Sequence, residues 1–105
     1  MLPALYQQFL SNMVHAKLTD IVIPVRMTSL KAAQALSDKI GQIDLVYIDA
    51  SHDTYSVVLD LHTYLPFVQS SGGILCGDDW WFEDVKLAVK IFAKKHCLTI
   101  YSIPQ

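Results

Sequence analysis

Residues 43–79, IDLVYIDASHDTYSVVLDLHTYLPFVQSSGGILCGDD, decide the fold of this chain. Two short apolar runs rich in β-forming residues, Ile43–Ile48 and Ile74–Cys76, enclose a segment whose apolar residues recur at helical spacing. The nearly continuous apolar character of both runs predicts strands buried on both faces, as in a parallel sheet. Pro66 is expected to kink or end the helix, and residues 70–73 (SSGG) form a turn before the second strand. The apolar helix positions are Val57, Leu61, Leu65 and Val68.

The flanking segments continue the alternation of helices and strands. Pro24 cannot donate a ladder hydrogen bond, so the short strand that contains it is expected at a sheet edge. Thr28-Ser29 can cap the helix that follows. The order αβαβαβαβ predicts an α/β fold with mostly parallel strands, in one domain that spans residues 1–105. The predicted outer elements are a helix from Pro3 to about Ala16, a strand over Ile21–Val25, a helix after Thr28-Ser29, a helix with Val85, Val89 and Phe92 inward and Lys86, Lys90 and Lys94 outward, and a strand over Leu98–Ile103.

Composition narrows the classes of function. The chain has 105 residues and a formal net charge of −2, without the clustered Lys and Arg that nucleic-acid binding requires. Neither a membrane-spanning apolar run nor a signal peptide is visible, and Cys76 and Cys97 match no disulfide framework. These features predict a cytoplasmic protein that binds neither nucleic acid nor membrane.

Acidic side chains follow the two central strands at the point where each strand ends. Asp49 comes directly after the first strand, and Asp78-Asp79 follow the second. Ligands of parallel α/β sheets collect at this edge, and carboxylate oxygens are ligands that Mg²⁺ and Ca²⁺ prefer. Asp49, Asp78 and Asp79 are therefore candidate ligands of a divalent metal ion. The structural alternative is that Asp78 or Asp79 caps the next helix and that Asp49 begins a turn.

Two further features of these loops are candidates for chemistry. His52 lies three residues after Asp49, and an imidazole can act as the general base for a substrate hydroxyl. The alternative is an ordinary solvent-exposed loop histidine. Trp80-Trp81 could wall a substrate pocket, or could equally pack the last helix against the sheet.

The central residues resemble the second half of class I S-adenosylmethionine-dependent methyltransferases, and methyltransferase domain family 24 in particular. The N-terminal helix, strand and helix fit the same fold, so the resemblance covers essentially the whole chain. It implies a Rossmann-like three-layer sheet, truncated relative to the full fold. The residues that carry it are Ile43, Asp44, Asp49, His52, Tyr55, Val58, Asp60, Pro66, Gly72, Gly73, Asp78 and Asp79.

The resemblance also implies a chemistry and a set of site residues. It implies transfer of a methyl group from S-adenosylmethionine to the hydroxyl of a small-molecule acceptor, assisted by a divalent cation such as Mg²⁺. Carried over, the metal ligands are Asp49, Asp78 and Asp79, and the general base is His52. The cofactor would contact the loop Met27-Thr28-Ser29 and Asp49.

The chain departs from the family pattern in what it lacks. The first strand and the glycine-rich loop that hold the methionine end of the cofactor are absent, as is the last antiparallel strand. Sheet edges left without neighbours expose unpaired backbone groups, which predicts a homodimer through sheet edges or exposed helix faces. Two interpretations stay open: a methyltransferase or the C-terminal half of one, and a non-catalytic truncated domain that folds and self-associates without binding the cofactor.

Overall fold

Over the residues that the structure describes, the chain forms a small α/β structure with four helices and one parallel sheet. A computed structural model describes residues 4–70 and 72–103. The α/β class and the central strand–helix–strand order predicted from residues 43–79 are confirmed. The elements are α1 (Leu5–His15), α2 (Ser29–Leu36), β1 (Leu45–Ile48), α3 (Thr54–Gln69), β2 (Ile74–Gly77) and α4 (Glu83–His96).

The sheet is smaller than the sequence predicts. Strands β1 and β2 pair in parallel, from Leu45 opposite Ile74 to Ile48 opposite Gly77, and in the part of the chain described they form a sheet of two strands. The predicted strands Ile21–Val25 and Leu98–Ile103 do not form, and a three-layer sheet is not built. A strand needs a neighbour for its backbone groups. The amide of Ile21 instead bonds the carbonyl of Leu18 at 3.0 Å, and the amide of Leu98 bonds the carbonyl of Ala93 at 2.9 Å.

The hydrophobic core lies between α3, α4 and one face of the sheet. The buried residues include Val57 and Leu61 of α3 and Ala88 and Phe92 of α4. The inner face of the sheet packs against this cluster through Val46, Ile48 and Leu75. The outer face is open, with Leu45 55%, Tyr47 53% and Ile74 60% exposed, so the prediction of strands buried on both faces is wrong. Burial on both faces requires helices on both sides of a sheet, and α3 and α4 cover only one.

Helix α3 connects the two strands and carries most of the core. Asp53 caps its first turn, because a carboxylate oxygen accepts the amide of Ser56 at 2.9 Å. The helix does not end at Pro66, as one predicted alternative required, but continues to Gln69. Pro66 removes one helical hydrogen bond, and burial of Leu65 and Val68 on either side of it holds the last turn against the core.

The outer helices are covered to different extents. Thr28 caps α2 as predicted, since its hydroxyl accepts the amide of Lys31 at 3.3 Å. Helix α4 buries Val85 and Phe92 as predicted, with Val89 partly buried against the same core. Helix α1 is confirmed between residues 5 and 15, and its predicted start at Pro3 lies outside the described residues. The helix has no buried residue.

The structure also bears on the cysteines and on the membrane-spanning potential of the helices. Cys76 and Cys97 are both free thiols. Of the helices described, none combines the length and the apolar character needed to cross a membrane.

Candidate functional site

The acidic loops meet at one edge of the sheet, as the strand order predicts. Ile48 lies opposite Gly77, so Asp49 and Asp78, the residues that directly follow β1 and β2, lie at the same edge of the sheet. The amide of Asp78 still reaches back to the carbonyl of Ile48, at 3.4 Å. The carboxyl ends of both strands therefore present acidic side chains on one exposed edge, where ligands bind in parallel α/β sheets.

His52 and Asp79 form a pair across this edge. The Nε2 atom of His52 lies 3.0 Å from Oδ2 of Asp79. The backbone of Asp79 is left-handed, with φ of 64°, which Asp tolerates better than most residues. The His52 side chain is 52% exposed and that of Asp79 21% exposed, so the pair is accessible to a solute. Sequence reasoning selected both residues but did not anticipate that they would pair with each other.

An aromatic stack supports the imidazole from below. The ring of Phe82 stacks on that of His52, with centroids 4.4 Å apart and planes 14° from parallel. The ring of Trp81 in turn stacks on Phe82 at 4.0 Å. Phe82 was not selected from the sequence, although it follows directly after the tryptophan pair. The stack limits rotation of the imidazole and leaves the ring edge for hydrogen bonding.

The two tryptophans lie at the start of α4. Trp81 is 61% exposed, and the Trp80 ring lies beneath the ammonium group of Lys86 at 5.5 Å. Neither residue lines the cavity described below. Both indoles therefore lie beside the start of α4, and neither forms a wall of that cavity.

The three predicted metal ligands follow the ends of β1 and β2, and two of them, Asp78 and Asp79, already have protein partners. The Asp79 carboxylate contacts His52, and Oδ1 of Asp78 accepts the amide of Asp79 at 2.7 Å. Across residues 4–70 and 72–103, no three His, Cys, Asp or Glu side chains are arranged to hold a metal ion. The predicted divalent cation is therefore not supported. The helix-cap alternative is also wrong for α4, whose N-cap is Phe82 without a side-chain cap bond.

A cavity of about 350 Å³ lies beside the carboxyl end of β1. It brings together Ser29 and Asp49, two of the four residues predicted to bind a cofactor. Met27 and Thr28 do not line it, because Met27 is 57% exposed and Thr28 caps α2. The lining residues are Ser29, Val46, Tyr47, Ile48, Asp49, Ala50, Asp60 and Tyr64.

Asp60 and Tyr64 are polar residues of this cavity to which sequence reasoning gave no role. Asp60 is only 9% exposed, and burial raises the pKa of its carboxyl, while a hydrogen bond with Ser29 partly opposes the rise. The Tyr64 hydroxyl donates to the carbonyl of Ser29 at 2.7 Å, and burial followed by the Asp60 charge raises its pKa. Asp60 lies three residues after Val57, on the buried side of α3. An acidic residue at a buried helix position is unusual, and this could have indicated from the sequence that Asp60 has a specific role.

Tyr47 links the cavity to the acidic edge. Desolvation first, and then the charges of Asp78 and Asp49, raise the pKa of its phenol. The strand alternation puts Tyr47 and Asp49 on the same side of the sheet, which could have indicated this neighbourhood. Together these groups make a negatively charged edge beside a partly apolar cavity.

Comparison with known proteins gave one match. A family model described as a methyltransferase domain matches residues 4–80. The matched range contains the whole cavity lining and both members of the His52–Asp79 pair, and it stops before α4. The searches of curated proteins and of solved structures returned no match.

Proposed function

We propose, from the premise that the chain belongs to the methyltransferase domain family, that it is an S-adenosylmethionine-dependent methyltransferase or the C-terminal half of one. The proposed acceptor is a small-molecule hydroxyl. The observation that carries the proposal is the arrangement at the end of β1, where Asp49 borders a cavity and His52, three residues later, pairs with a carboxylate.

The cavity has groups suited to a nucleoside ligand that carries a positive sulfur. Val46 and Ile48 offer an apolar wall, while Ser29, Asp60 and Tyr64 offer hydrogen-bonding groups. The carboxylates of Asp49 and Asp60 favour a cation, because opposite charges attract strongly where water is partly excluded. When bound there, S-adenosylmethionine supplies an electrophilic methyl group.

The His52–Asp79 pair supplies the proton acceptor. When Nε2 carries the hydrogen that is donated to Asp79, Nδ1 holds a lone pair that can accept the proton of a hydroxyl. His52 would hold the proton of the acceptor hydroxyl, while the bound cofactor would supply the methyl group that the acceptor oxygen takes up. Asp79 then faces an imidazolium, which its negative charge stabilises. No step is assigned to a metal ion, because the acidic side chains are not arranged as a ligand set.

Binding tests the cofactor part of the proposal. Isothermal titration with S-adenosylhomocysteine is expected to give a micromolar dissociation constant, and Asp60→Asn should weaken binding more than Asp38→Asn. Asp38 is an exposed acid in the turn after α2 and serves as the matched control. Repeating the titration with Mg²⁺ tests the divalent-ion prediction. Absence of binding at millimolar ligand would reject the cofactor site.

Methyl transfer tests the base. Transfer of a labelled methyl group to a panel of phenolic and sugar hydroxyls is expected to be lost in His52→Gln. Asp79→Asn should slow the reaction by about 10²-fold or more, in the range typical of general-base catalysis, while leaving S-adenosylhomocysteine binding unchanged. Equal rates in wild type and Asp79→Asn would contradict the role of the pair.

The exposed apolar faces favour the second candidate, a non-catalytic domain that self-associates. Leu45 and Ile74 are exposed side by side on the outer face of the sheet, and α1 has no buried residue. We expect a homodimer with twice the chain mass of 11.8 kDa in light scattering. Leu45→Glu should yield the monomer, whereas Ser70→Glu should not. A wild-type monomer would reject the dimer without bearing on cofactor binding.

A further inference from the structure

Two histidines that the proposed methyl-transfer site does not use lie against each other where the middle of α3 meets the C-terminal end of α4. His62 is on α3, and His96 is in the last turn of α4. Nδ1 of His62 and Nε2 of His96 are 3.4 Å apart, and the ring centroids are 4.9 Å apart with planes 60° from parallel. Neither residue has a partner pattern in the sequence, because the contact joins positions 34 residues apart.

Packing holds both imidazoles in place. Phe92, which is 3% exposed, presents its ring to His62 at a centroid distance of 5.1 Å and to His96 at 4.7 Å. Both histidines are half-buried, so the surrounding side chains restrict their rotation. The helices that carry them share the main core of the protein. The nitrogen pair is therefore positioned by the fold before any ligand arrives, which lowers the entropic cost of binding.

The separation of the two nitrogens suits a metal ion. Zinc–imidazole bonds of about 2.0–2.1 Å with tetrahedral angles place two ligand nitrogens about 3.3–3.4 Å apart. We propose that His62 and His96 form a two-imidazole site for a divalent transition-metal ion such as Zn²⁺ or Ni²⁺, bridging α3 and α4. Water completes the coordination, because within the described parts of the chain no third His, Cys, Asp or Glu joins the pair.

The surroundings of the two histidines also bear on metal binding. Burial lowers the pKa of His62, and the neighbouring Lys95 and His96 lower it further. A neutral imidazole is the form that binds metal. Lys95 opposes an incoming cation by its charge, while the carbonyl end of α4 attracts one. In the absence of metal the two rings can share an N–H···N hydrogen bond, which the metal ion replaces.

Titration of the full chain with ZnCl₂ and NiCl₂, with MgCl₂ as the control ion, tests the site. We expect one binding event in calorimetry and a higher melting temperature with Zn²⁺ or Ni²⁺ but not with Mg²⁺, because a ligand that binds only the folded state stabilises it. His62→Gln and His96→Gln should each weaken binding at least tenfold. The matched control is His15→Gln, an exposed histidine at the end of α1. His52→Gln and Cys97→Ser should also keep wild-type affinity.

A second measurement on the wild-type chain covers the case in which a Gln variant fails to fold. In NMR spectra, substoichiometric Ni²⁺ should broaden the imidazole signals of His62 and His96 before those of His15 and His52. Lack of Zn²⁺ and Ni²⁺ binding, equal affinity in the folded Gln variants, or earlier broadening at another histidine would each overturn the proposal.

Discussion

Gly77 ends β2 directly beside the end of β1, and replacing it tests the geometry of the site edge. A Cβ atom built at Gly77 lies 2.6 Å from the carbonyl oxygen of Ile48, whereas ordinary van der Waals contacts begin at 3.4 Å. The carbonyl oxygen belongs to the backbone and cannot swing aside, so Gly77→Ala must open the strand ends by roughly 0.8 Å. The hydrogen bond from the Asp78 amide to the same carbonyl, already 3.4 Å long, would then be lost.

We expect Gly77→Ala to lower the free energy of unfolding by about 1–3 kcal/mol, the usual cost of inserting a methyl group where no space exists. Gly41→Ala is the matched control, because a Cβ there meets nothing within 4 Å. The control should be unchanged or up to about 1 kcal/mol more stable, since alanine restricts the unfolded chain. Urea unfolding followed by far-UV circular dichroism measures both variants. Equal midpoints for Gly77→Ala and Gly41→Ala would refute the close approach of the two strands.

Three further substitutions test local features of the fold. Burial raises the pKa of the Asp60 carboxyl above its ordinary 3.8, so the native state binds the carboxyl proton more tightly than the unfolded chain does. The stability that this proton contributes is therefore lost as the pH rises through the pKa of the folded state. Asp60→Asn should therefore gain stability relative to wild type between acidic and neutral pH, and a pH-independent difference in urea midpoint would contradict this. Thr28→Ala should cost about 0.5–2 kcal/mol in the same assay because α2 loses its cap, while Thr28→Ser should keep most of it. Pro66→Ala should stabilise the chain by about 1–3 kcal/mol, because α3 regains a backbone donor at an exposed position, and a lower melting temperature would show that Pro66 is accommodated without cost.

Local features of the sequence were enough to predict the helices. The apolar spacing of Val57, Leu61 and Leu65 sets which face of α3 is buried, and the structure buries all three. The cap at Thr28 depends on a bond between residues three apart, so it too was predictable. The prediction that α3 could end at Pro66 was wrong, because packing of the last helical turn outweighs the loss of one hydrogen bond.

Strand prediction succeeded only where the partner lies in the same motif. The predicted strands, residues 43–48 and 74–76, are joined by one helix, and β1 and β2 form there and pair in parallel. Residues 21–25 have equal β-forming character, but Ile21 and Ile23 are 76% and 83% exposed and no strand forms there. A strand depends on a neighbour that its own sequence does not specify.

At the candidate site, the local sequence pattern was enough to predict which acidic and imidazole groups lie at the carboxyl edge of the sheet, because strand direction and loop position follow from that pattern. The side-chain partners follow from packing alone: His52 with Asp79 at this edge, Asp60 with Ser29 in the cavity, and His62 with His96 between α3 and α4. The paired residues lie 27 to 34 positions apart in the sequence, and each contact depends on how the helices pack against one another and on the sheet. Side-chain partners across such distances are set by packing, since no local hydrogen bond or helical period connects them.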